Sequence, residues 1–409
     1  MRWTVDRTVL DLPRWGSVVE DPGPTPWVVV DVEDTPIEPV RRYLVEFTAR
    51  GNRAGSVRSY AYALLRWWRW LGVREVSWAC VTSADVRDYA LWLGAATKPG
   101  AALRTVSLAT AGTVNPITRK AYLDDRYQPR TVRHAMAVLR GFYEFWADLG
   151  EGPVVNPVQP AHRGRANLHH NPMEPFRAEG RFRYNPVVPK RRPRTLSDEQ
   201  WRDVFAALRS HRDRALLALG VSNGARAGEL LGLRGVDIDW GEQLVRVIRK
   251  GTRAEQWLPA SAEAFVWLRL YLADVGPLGP NEAIWRTVRR RDRGTGLAQQ
   301  PLSYDALRAV FRRVNVALGT NWSMHDLRHT AALRMSRDSN LTLRDVQVIL
   351  GHADIDTTAS IYLFEEDAEV ARRVLAHLEQ RAAPTLKPPT LARGYNPADM
   401  AVLFDGSTP

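Results

Sequence analysis

The sequence predicts a mainly α-helical protein with a small antiparallel β-sheet, and three observations lead to this fold class. Apolar residues recur at helical spacing through residues 35–150. Three short segments rich in β-branched and aromatic residues lie between residues 236 and 259 and are separated by turn residues, as in a small antiparallel sheet. The 409 residues are enough for two or three domains, each with its own core.

The first elements lie in residues 1–157. Residues 1–34 are rich in proline, valine and aspartate without a clear period, which indicates an N-terminal arm or cap. Residues 35–157 predict a helical domain with helices at 37–50, 56–71, 82–94 and 131–150. Ser56 and Ser83 are expected to cap the second and third of these helices.

A strongly basic segment follows at residues 158–194 and is predicted to be an interdomain linker. Its last 34 residues carry eight arginines and Lys190 against two glutamates. Charge of this density favours contact with a polyanion backbone, and a solvated loop is the alternative. The residues assigned to nucleic-acid contact, with two from the helical domain, are Arg58, Arg133, Arg163, Arg165, Arg181, Arg183, Lys190, Arg191, Arg192 and Arg194.

The second large domain is predicted at residues 195–382, with a tail at 383–409. Ser197 and Gln200 form a capping-box pattern at its first helix. Gly224 is expected to end a turn, so that Arg226 lies where the next helix begins. The three strand segments follow, with a turn from Lys250 to Arg253. Further helices are predicted at 261–272 and 303–318. Another begins at Ser323, and a last one ends at Gly351.

The net charge indicates which chemical class of partner the protein binds. There are 57 basic and 45 acidic residues, which gives a formal charge of +12 and a pI of about 10.1. A polyanion is therefore expected, with nucleic acid first and an anionic membrane surface second. The single cysteine, Cys80, excludes an internal disulfide framework and a cysteine-rich zinc site. With no long apolar segment, we expect a cytoplasmic protein.

The segment 323–362 carries the chemistry. It reads S-M-H-D-L-R-H-T, then L-G-H, then a tyrosine within T-T-A-S-I-Y. With an earlier arginine and a lysine at the strand turn, it supplies two guanidinium groups for phosphate oxygens, groups that hold or move protons, and a phenol nucleophile. This set suffices for attack on a phosphodiester without a metal ion. Its members are Arg226, Lys250, His325, Arg328, His352 and Tyr362.

In this order, the six residues resemble the tyrosine recombinases of the phage integrase family. The resemblance is close over about residues 195–380 and looser over about 35–157. It implies a helical core-binding domain and a mixed α/β catalytic domain that form a C-shaped clamp on DNA. It also implies a site-specific DNA recombinase of the integrase or transposase type, which cleaves and rejoins strands through a covalent 3′-phosphotyrosine intermediate. Neither a cofactor nor a metal is expected.

The resemblance also assigns roles. Arg226 and Arg328 neutralise the phosphate oxygens, and Lys250 protonates the departing 5′ oxygen. His325 accepts the phenol proton or hydrogen-bonds the phosphate, and His352 donates to a phosphate oxygen.

Further assignments concern neighbouring side chains. Glu229, three residues after the first arginine, could orient its guanidinium group or form a surface pair, and the resemblance implies the orienting role. His329 is placed on another face of its helix, as a structural or surface residue. Tyr362 could instead be a core aromatic residue, and Tyr271 and Tyr304 are the rival phenols.

The implied partner is double-stranded DNA with specific recombination sites. The family resemblance further implies a homotetramer on DNA in which a C-terminal segment packs into a neighbouring subunit, in the bacterial cytoplasm at the nucleoid. Two alternatives share part of the pattern. One is a type IB topoisomerase, which has the same chemistry without partner exchange, and the other is a DNA-binding regulator with a decayed active site.

Overall fold

The computed structural model describes residues 11–98, 110–160, 183–188, 194–292, 296–351 and residue 375. The chain divides into two compact units, one formed by Met1–Arg191 with Gly319–Asn321 and the other by Arg192–Leu318 with Trp322–Pro409. The predicted tail, most of the basic linker and the segment with His352 and Tyr362 lie outside the described residues. The finer domain boundaries and the clamp on DNA stay predictions.

The described part of the first unit contains four α-helices: α1 Glu38–Ala49, α2 Ala54–Arg74, α3 Ser83–Ala95 and α4 Pro129–Asp148. The four predicted helices are thus confirmed, but two of the predicted caps are wrong. α2 begins before Ser56, since the residue preceding its first turn is Arg53. α3 is capped by Thr82 rather than Ser83, because only Thr82 has a carboxylate three residues on that can bond back to its N–H group, at 2.9 Å.

Aromatic side chains fill the core of this unit. Trp67 donates from Nε1 to the hydroxyl of Tyr143 at 3.0 Å, and both side chains are fully buried. Tyr89 and Trp70 pack on the same indole, with ring centroids 4.8 and 5.2 Å away. The buried indole therefore keeps a hydrogen-bond partner while it joins α2, α3 and α4.

A hairpin of strands β1 (Ser17–Glu20) and β2 (Trp27–Val30) packs on these helices. Val29 is fully buried in the helical core, and Arg69 of α2 donates to the carbonyls of Trp15 and Gly16 at 2.7 and 2.8 Å. The sequence predicted no strands here, because two four-residue strands separated by a proline-rich turn give too short a pattern for a period.

The second unit is mixed α/β. Its elements are α5 Asp198–Ala206, α6 His211–Asn223, α7 Ala227–Leu231, β3 Ile238–Asp239, β4 Leu244–Ile248, β5 Glu255–Pro259, α8 Ala262–Val275, β6 Arg286–Asp292, β7 Leu297–Pro301, α9 Tyr304–Leu318, α10 Met324–Arg337 and α11 Leu343–Leu350. Strands β3, β4 and β5 form one antiparallel sheet, with Val245 opposite Leu258. The predicted three-stranded sheet is confirmed. The β6–β7 hairpin was not predicted, since its arginine-rich sequence lacks apolar alternation.

Local signals at the helix ends of this unit are also confirmed. Ser197 and Gln200 make the predicted capping box, with Ser197 N–H donating to Oε1 of Gln200 at 3.0 Å. Gly224 and Gly351 end α6 and α11 with left-handed backbones, at φ of 66° and 63°. Such φ values favour glycine, which has no Cβ to clash.

Helix α6 is the centre of this core. It is buried on nearly all sides and contacts α7, α8 and α10. Trp285 donates from its indole nitrogen to the carbonyl of Leu230 at 2.7 Å, which holds the end of α7 against the core. The turn from Gly224 to Arg226 is therefore anchored from both sides.

Within the described residues, no helix has the length and apolar character needed to cross a bilayer.

Candidate active site

The carboxylate of Glu229 fixes the first predicted catalytic arginine. Arg226 is the N-cap of α7, and Glu229 is the third residue of that helix. The backbone N–H of Arg226 donates to Oε2 of Glu229 at 2.9 Å, and its guanidinium Nη1 donates to Oε1 at 2.9 Å. The carboxylate side chain is 2% exposed and the guanidinium side chain 29%. One buried acid thus orients Arg226 and leaves part of its fork accessible.

The same carboxylate holds the strand turn with Lys250. The backbone N–H of Lys250 donates to Oε1 of Glu229 at 3.1 Å. Arg249, the preceding residue, donates from Nη1 to Oε2 at 3.1 Å. The side chain of Lys250 is exposed. Glu229 therefore joins α7 to the β4–β5 turn, although the two segments are about twenty residues apart.

Arg328 ties the turn before Arg226 to the end of α11. It lies on α10 and is 4% exposed. Its Nη1 donates to the carbonyl of Gly224 at 2.6 Å, and its Nη2 donates to the carbonyl of Leu350 at 2.7 Å. A Cβ at Gly224 would lie 2.8 Å from a methyl group of Leu350, so this close approach requires glycine. The end of α11 is two residues from His352.

His325 lies on the first turn of α10. Ser323 and Asp326 cap this turn as predicted, with Ser323 N–H donating to Oδ2 of Asp326 at 2.8 Å. His325 is exposed, whereas Arg328 is buried. The placement of His329 on another face was wrong, because its ring lies edge-on to that of His325 with centroids 4.4 Å apart. Residues four apart share a helix face, so this contact was predictable from spacing.

Opposing effects act on the pKa of Glu229. Burial raises the pKa of this carboxyl, but hydrogen bonds from the N–H groups of Arg226 and Lys250 outweigh it, with help from two guanidinium groups. The net effect lowers the pKa below its ordinary value of 4.5. Burial lowers the pKa of Arg249 below the ordinary arginine value despite its ion pair with Glu229. An arginine pKa starts far above neutral pH and the pKa of Glu229 is lowered further below it, so both groups are ionised at neutral pH.

A fall in pH should therefore lower the free energy of unfolding of the second unit. Because the folded-state pKa of Glu229 lies below its unfolded value, its ionisation stabilises the fold above pH 4.5 and the contribution is lost as the pH falls. We expect the urea midpoint of the wild type to fall more between about pH 5 and about pH 3 than that of Glu229→Gln, which has no charge to lose. Parallel midpoints for the two proteins across this range would contradict the assignment.

The structure thus connects the backbone segments of Arg226, Lys250 and Arg328 through Glu229, Gly224 and Leu350, and it places His325 exposed on α10. His352 and Tyr362 lie outside the described residues. Among the described residues, no group of three or more histidine, cysteine, aspartate or glutamate side chains is arranged to hold a metal ion.

The residues assigned to DNA contact are only partly described. Arg58 lies over the ring of Trp27 at 4.7 Å, and Arg133 donates from Nε to the carbonyl of Pro186 at 2.8 Å. Arg183 lies 6.0 Å from the ring centroid of Tyr184, and Arg194 is described at the start of the second unit. The remaining six lie outside the described residues: Arg163, Arg165, Arg181, Lys190, Arg191 and Arg192.

Sequence reasoning missed Arg249. It is 4% exposed and contacts Glu229, Gln256 and the end of α11. A signal for it was present, because Val245, Val247 and Arg249 alternate on the buried face of β4 and the residue after it. An arginine that continues a buried alternation needs an acidic partner inside the protein.

Comparison with known proteins identifies the family. Residues 194–369 match the phage integrase family. Transposase A of transposon Tn554 from Staphylococcus aureus is 24% identical over 371 residues, which cover 87% of this chain and 95% of that protein. Tyrosine recombinase XerD of Ralstonia nicotianae is 34% identical over 205 residues, which cover 48% of this chain and 62% of XerD. Residues 194–369 thus form a domain of the phage integrase family, the family of the tyrosine recombinases. The chain is a site-specific DNA recombinase, an enzyme that cleaves and rejoins DNA strands.

Solved structures agree in fold. The recombinase matches a lambda integrase dimer bound to a core site with a TM-score of 0.50 and 13% identity, over 79% of this chain and 93% of the other. It matches the Tn1549 transposon integrase in complex with circular intermediate DNA with a TM-score of 0.50 and 14% identity, over 82% of this chain and 98% of the other. The predicted fold class, a helical domain followed by a mixed α/β catalytic domain, is confirmed.

Proposed function

We propose that this recombinase attacks a DNA phosphodiester with the hydroxyl of Tyr362 and forms a covalent 3′-phosphotyrosine intermediate. Arg226, Lys250, His325, Arg328 and His352 complete the site. The observation that carries the proposal is the shared carboxylate of Glu229, which accepts hydrogen bonds from both the Arg226 and the Lys250 segments. The segments of two proposed catalytic residues are thus held by a single buried carboxylate.

The arginines stabilise charge that builds on the phosphate. The partly exposed guanidinium of Arg226 is positioned by Glu229 and binds non-bridging oxygens in fork geometry. Arg328 supplies a second positive charge, while two of its nitrogens donate hydrogen bonds to backbone carbonyls. His325 accepts the phenol proton or hydrogen-bonds the phosphate, and His352 donates to a phosphate oxygen. Preorganised charge of this kind favours the transition state over the ground state.

The leaving group needs a proton. Lysine can release one when its surroundings allow, whereas arginine stays protonated at working pH. Lys250 is therefore the proposed general acid for the departing 5′ oxygen. The phosphotyrosine linkage keeps the energy of the broken phosphodiester, so a 5′ hydroxyl from a second duplex can attack it without ATP. This gives strand exchange.

The proposal extends to substrate and assembly. Double-stranded DNA with specific recombination sites is the substrate, and the basic linker lies along its phosphates with Arg58 and Arg133. The active assembly is a homotetramer on DNA, in which a C-terminal segment packs into the neighbouring subunit. The DNA-bound complexes of lambda integrase and the Tn1549 integrase support the DNA partner. We place the enzyme at the nucleoid of the bacterial cytoplasm, where such DNA lies.

Two DNA assays test the proposed function. A nicked suicide substrate, which loses its 5′ hydroxyl fragment after cleavage, should trap a covalent complex that survives denaturation. Two differently labelled duplexes with the recombination site should exchange arms. A trapped complex without exchange would favour the topoisomerase alternative, and absence of both with intact binding would favour the decayed regulator.

Lys250→Ala tests the general acid. We expect cleavage of ordinary DNA to fall by about 10² to 10⁴. DNA in which sulfur replaces the bridging 5′ oxygen should restore most of that loss, because a thiolate leaves without a proton. Single-turnover cleavage of both substrates is the measurement. Arg253→Ala removes an exposed charge from the same turn and should behave as wild type on both. Equal losses on both substrates would contradict the role.

A further inference from the structure

Three side chains donate to the last carbonyls of α11. Gln256 donates from Nε2 to the carbonyl of Val348 at 3.0 Å, Arg249 from Nη2 to that of Ile349, and Arg328 from Nη2 to that of Leu350 at 2.7 Å. The last carbonyls of a helix have no partner inside it and carry partial negative charge. Two of the three donors are cations, so electrostatics strengthens this attachment.

Arg249 makes the widest set of these contacts. Besides the carbonyl of Ile349, its Nε donates to Oε1 of Gln256 at 2.7 Å and its Nη1 donates to Oε2 of Glu229 at 3.1 Å. The planar guanidinium group has donors in fixed directions, and these reach α7, β5 and α11 at once. Lysine, with a single nitrogen, could not replace this geometry.

The packing around Arg249 is close. A Cβ at Gly351 would lie 2.8 Å from Nε of Arg249, and Gly351 has a φ of 63°. Both facts favour glycine where α11 ends. Arg249 directly precedes Lys250 in the chain, and Gly351 directly precedes His352. Lys250 thus follows Arg249 itself, and His352 follows the glycine against which the Arg249 side chain packs. Both neighbours are proposed catalytic residues.

We infer that Arg249 is a positioning residue that couples the turn carrying Lys250 to the end of α11, which leads into His352. This inference rests on the proposed function, since it assigns those two residues to the reaction. Arg249 does not touch the DNA phosphate, because it is buried against Glu229, Gln256 and the carbonyl of Ile349. Its effect is to keep the general acid and the end of α11 in register with the carboxylate that orients Arg226.

Arg249→Met tests the coupling by retaining the length of the side chain without its donors. We expect single-turnover cleavage at saturating DNA to fall by about 100-fold with unchanged DNA affinity, as displacements of about 1 Å in a catalytic group can cause. The 5′-sulfur substrate should recover only part of this loss, because the end of α11 is displaced as well as Lys250. If Arg249 served folding alone, the folded fraction of the variant would cleave at the wild-type rate. The ratio of its cleavage rates on the 5′-sulfur and the ordinary substrate would also be unchanged.

Two further variants keep the test decisive if Arg249→Met does not fold. Gln256→Leu removes the hydrogen bond to the carbonyl of Val348 and one acceptor of Arg249 but leaves every charge in place. It should show the same partial recovery with a smaller loss, about tenfold. Arg246→Met is the matched control, because Arg246 lies on β4 three residues before Arg249 and pairs with Asp237 and Glu255 instead. It should cleave as wild type.

Each outcome has a separate meaning. Complete recovery with the 5′-sulfur substrate would show that Arg249 acts through Lys250 alone and would overturn the coupling. Wild-type cleavage by folded Arg249→Met and Gln256→Leu would overturn it as well. A wild-type enzyme that forms no covalent complex, or a Lys250→Ala variant without sulfur rescue, would instead count against the proposed function.

Discussion

Replacing Tyr362 with phenylalanine is expected to abolish covalent attachment to DNA and all strand exchange. The change removes one oxygen and keeps the ring, so DNA affinity should stay at the wild-type level. Loss of a nucleophile removes the whole reaction path, and the cleavage rate should fall by a factor on the order of 10⁴ to 10⁶. The measurement is the protein–DNA complex that survives denaturation on a suicide substrate.

The rival phenols are the controls. Tyr304 is exposed at the first position of α9, and Tyr304→Phe should cleave as wild type. Tyr271 donates to the carbonyl of Ile284 and accepts from the N–H of Arg286, each at 2.9 Å, and burial raises its pKa. Tyr271→Phe should keep cleavage but lose about 1–3 kcal/mol of stability. Covalent complex formed by Tyr362→Phe, and lost in either control, would assign the nucleophile elsewhere.

Glu229→Ala should have the second largest effect, on stability and activity together. Removal of this carboxylate leaves the buried guanidinium of Arg249 without its counter-ion and deprives the N–H groups of Arg226 and Lys250 of their acceptor. Breaking a buried ion pair by deleting one partner costs about 3–5 kcal/mol. Urea unfolding of the variant and of wild type at neutral pH measures this loss, and suicide-substrate cleavage should fall below detection.

A double variant separates the two effects. Glu229→Ala with Arg249→Met leaves no unpaired buried charge, so part of the stability should return. Cleavage should not, because Arg226 still lacks the group that orients it. Glu242→Ala, at the exposed β3–β4 turn, is the control for loss of a glutamate in this unit. A double variant that recovers cleavage along with stability would reduce Glu229 to a structural residue.

Much of the fold could be predicted because its signals are local. The capping boxes at Ser197 and Ser323 and the left-handed glycines at 224 and 351 depend on residues within one turn of a helix. The wrong caps for α2 and α3 show the limit of this approach. At α3 the aspartate three residues after Thr82 completes a capping box, whereas α2 begins after Arg53 without any side-chain cap, so a nearby serine marked neither start correctly.

In the candidate site, too, the side chains could be predicted from the sequence but their long-range contacts could not. Six side chains were predicted to be catalytic from their chemical type and order along the chain. Four of them lie in the described residues, and their catalytic role stays a prediction. The alternation along β4 could have marked Arg249 as buried, but two of its partners, Glu229 and the carbonyl of Ile349, lie 20 and 100 residues away and could not be read from it. The contacts of Arg328 with Gly224 and Leu350 span 104 and 22 residues and were equally hidden.

The sequence by itself determined the helices and the three-stranded sheet and supplied the candidate reactive groups, since periodicity, caps and side-chain chemistry are properties of neighbouring residues. Only the tertiary structure decided that Glu229 serves three partners and that the end of α11 is held by Gln256, Arg249 and Arg328. A buried charge must find its partners wherever the packed chain places them, and no local pattern records that choice.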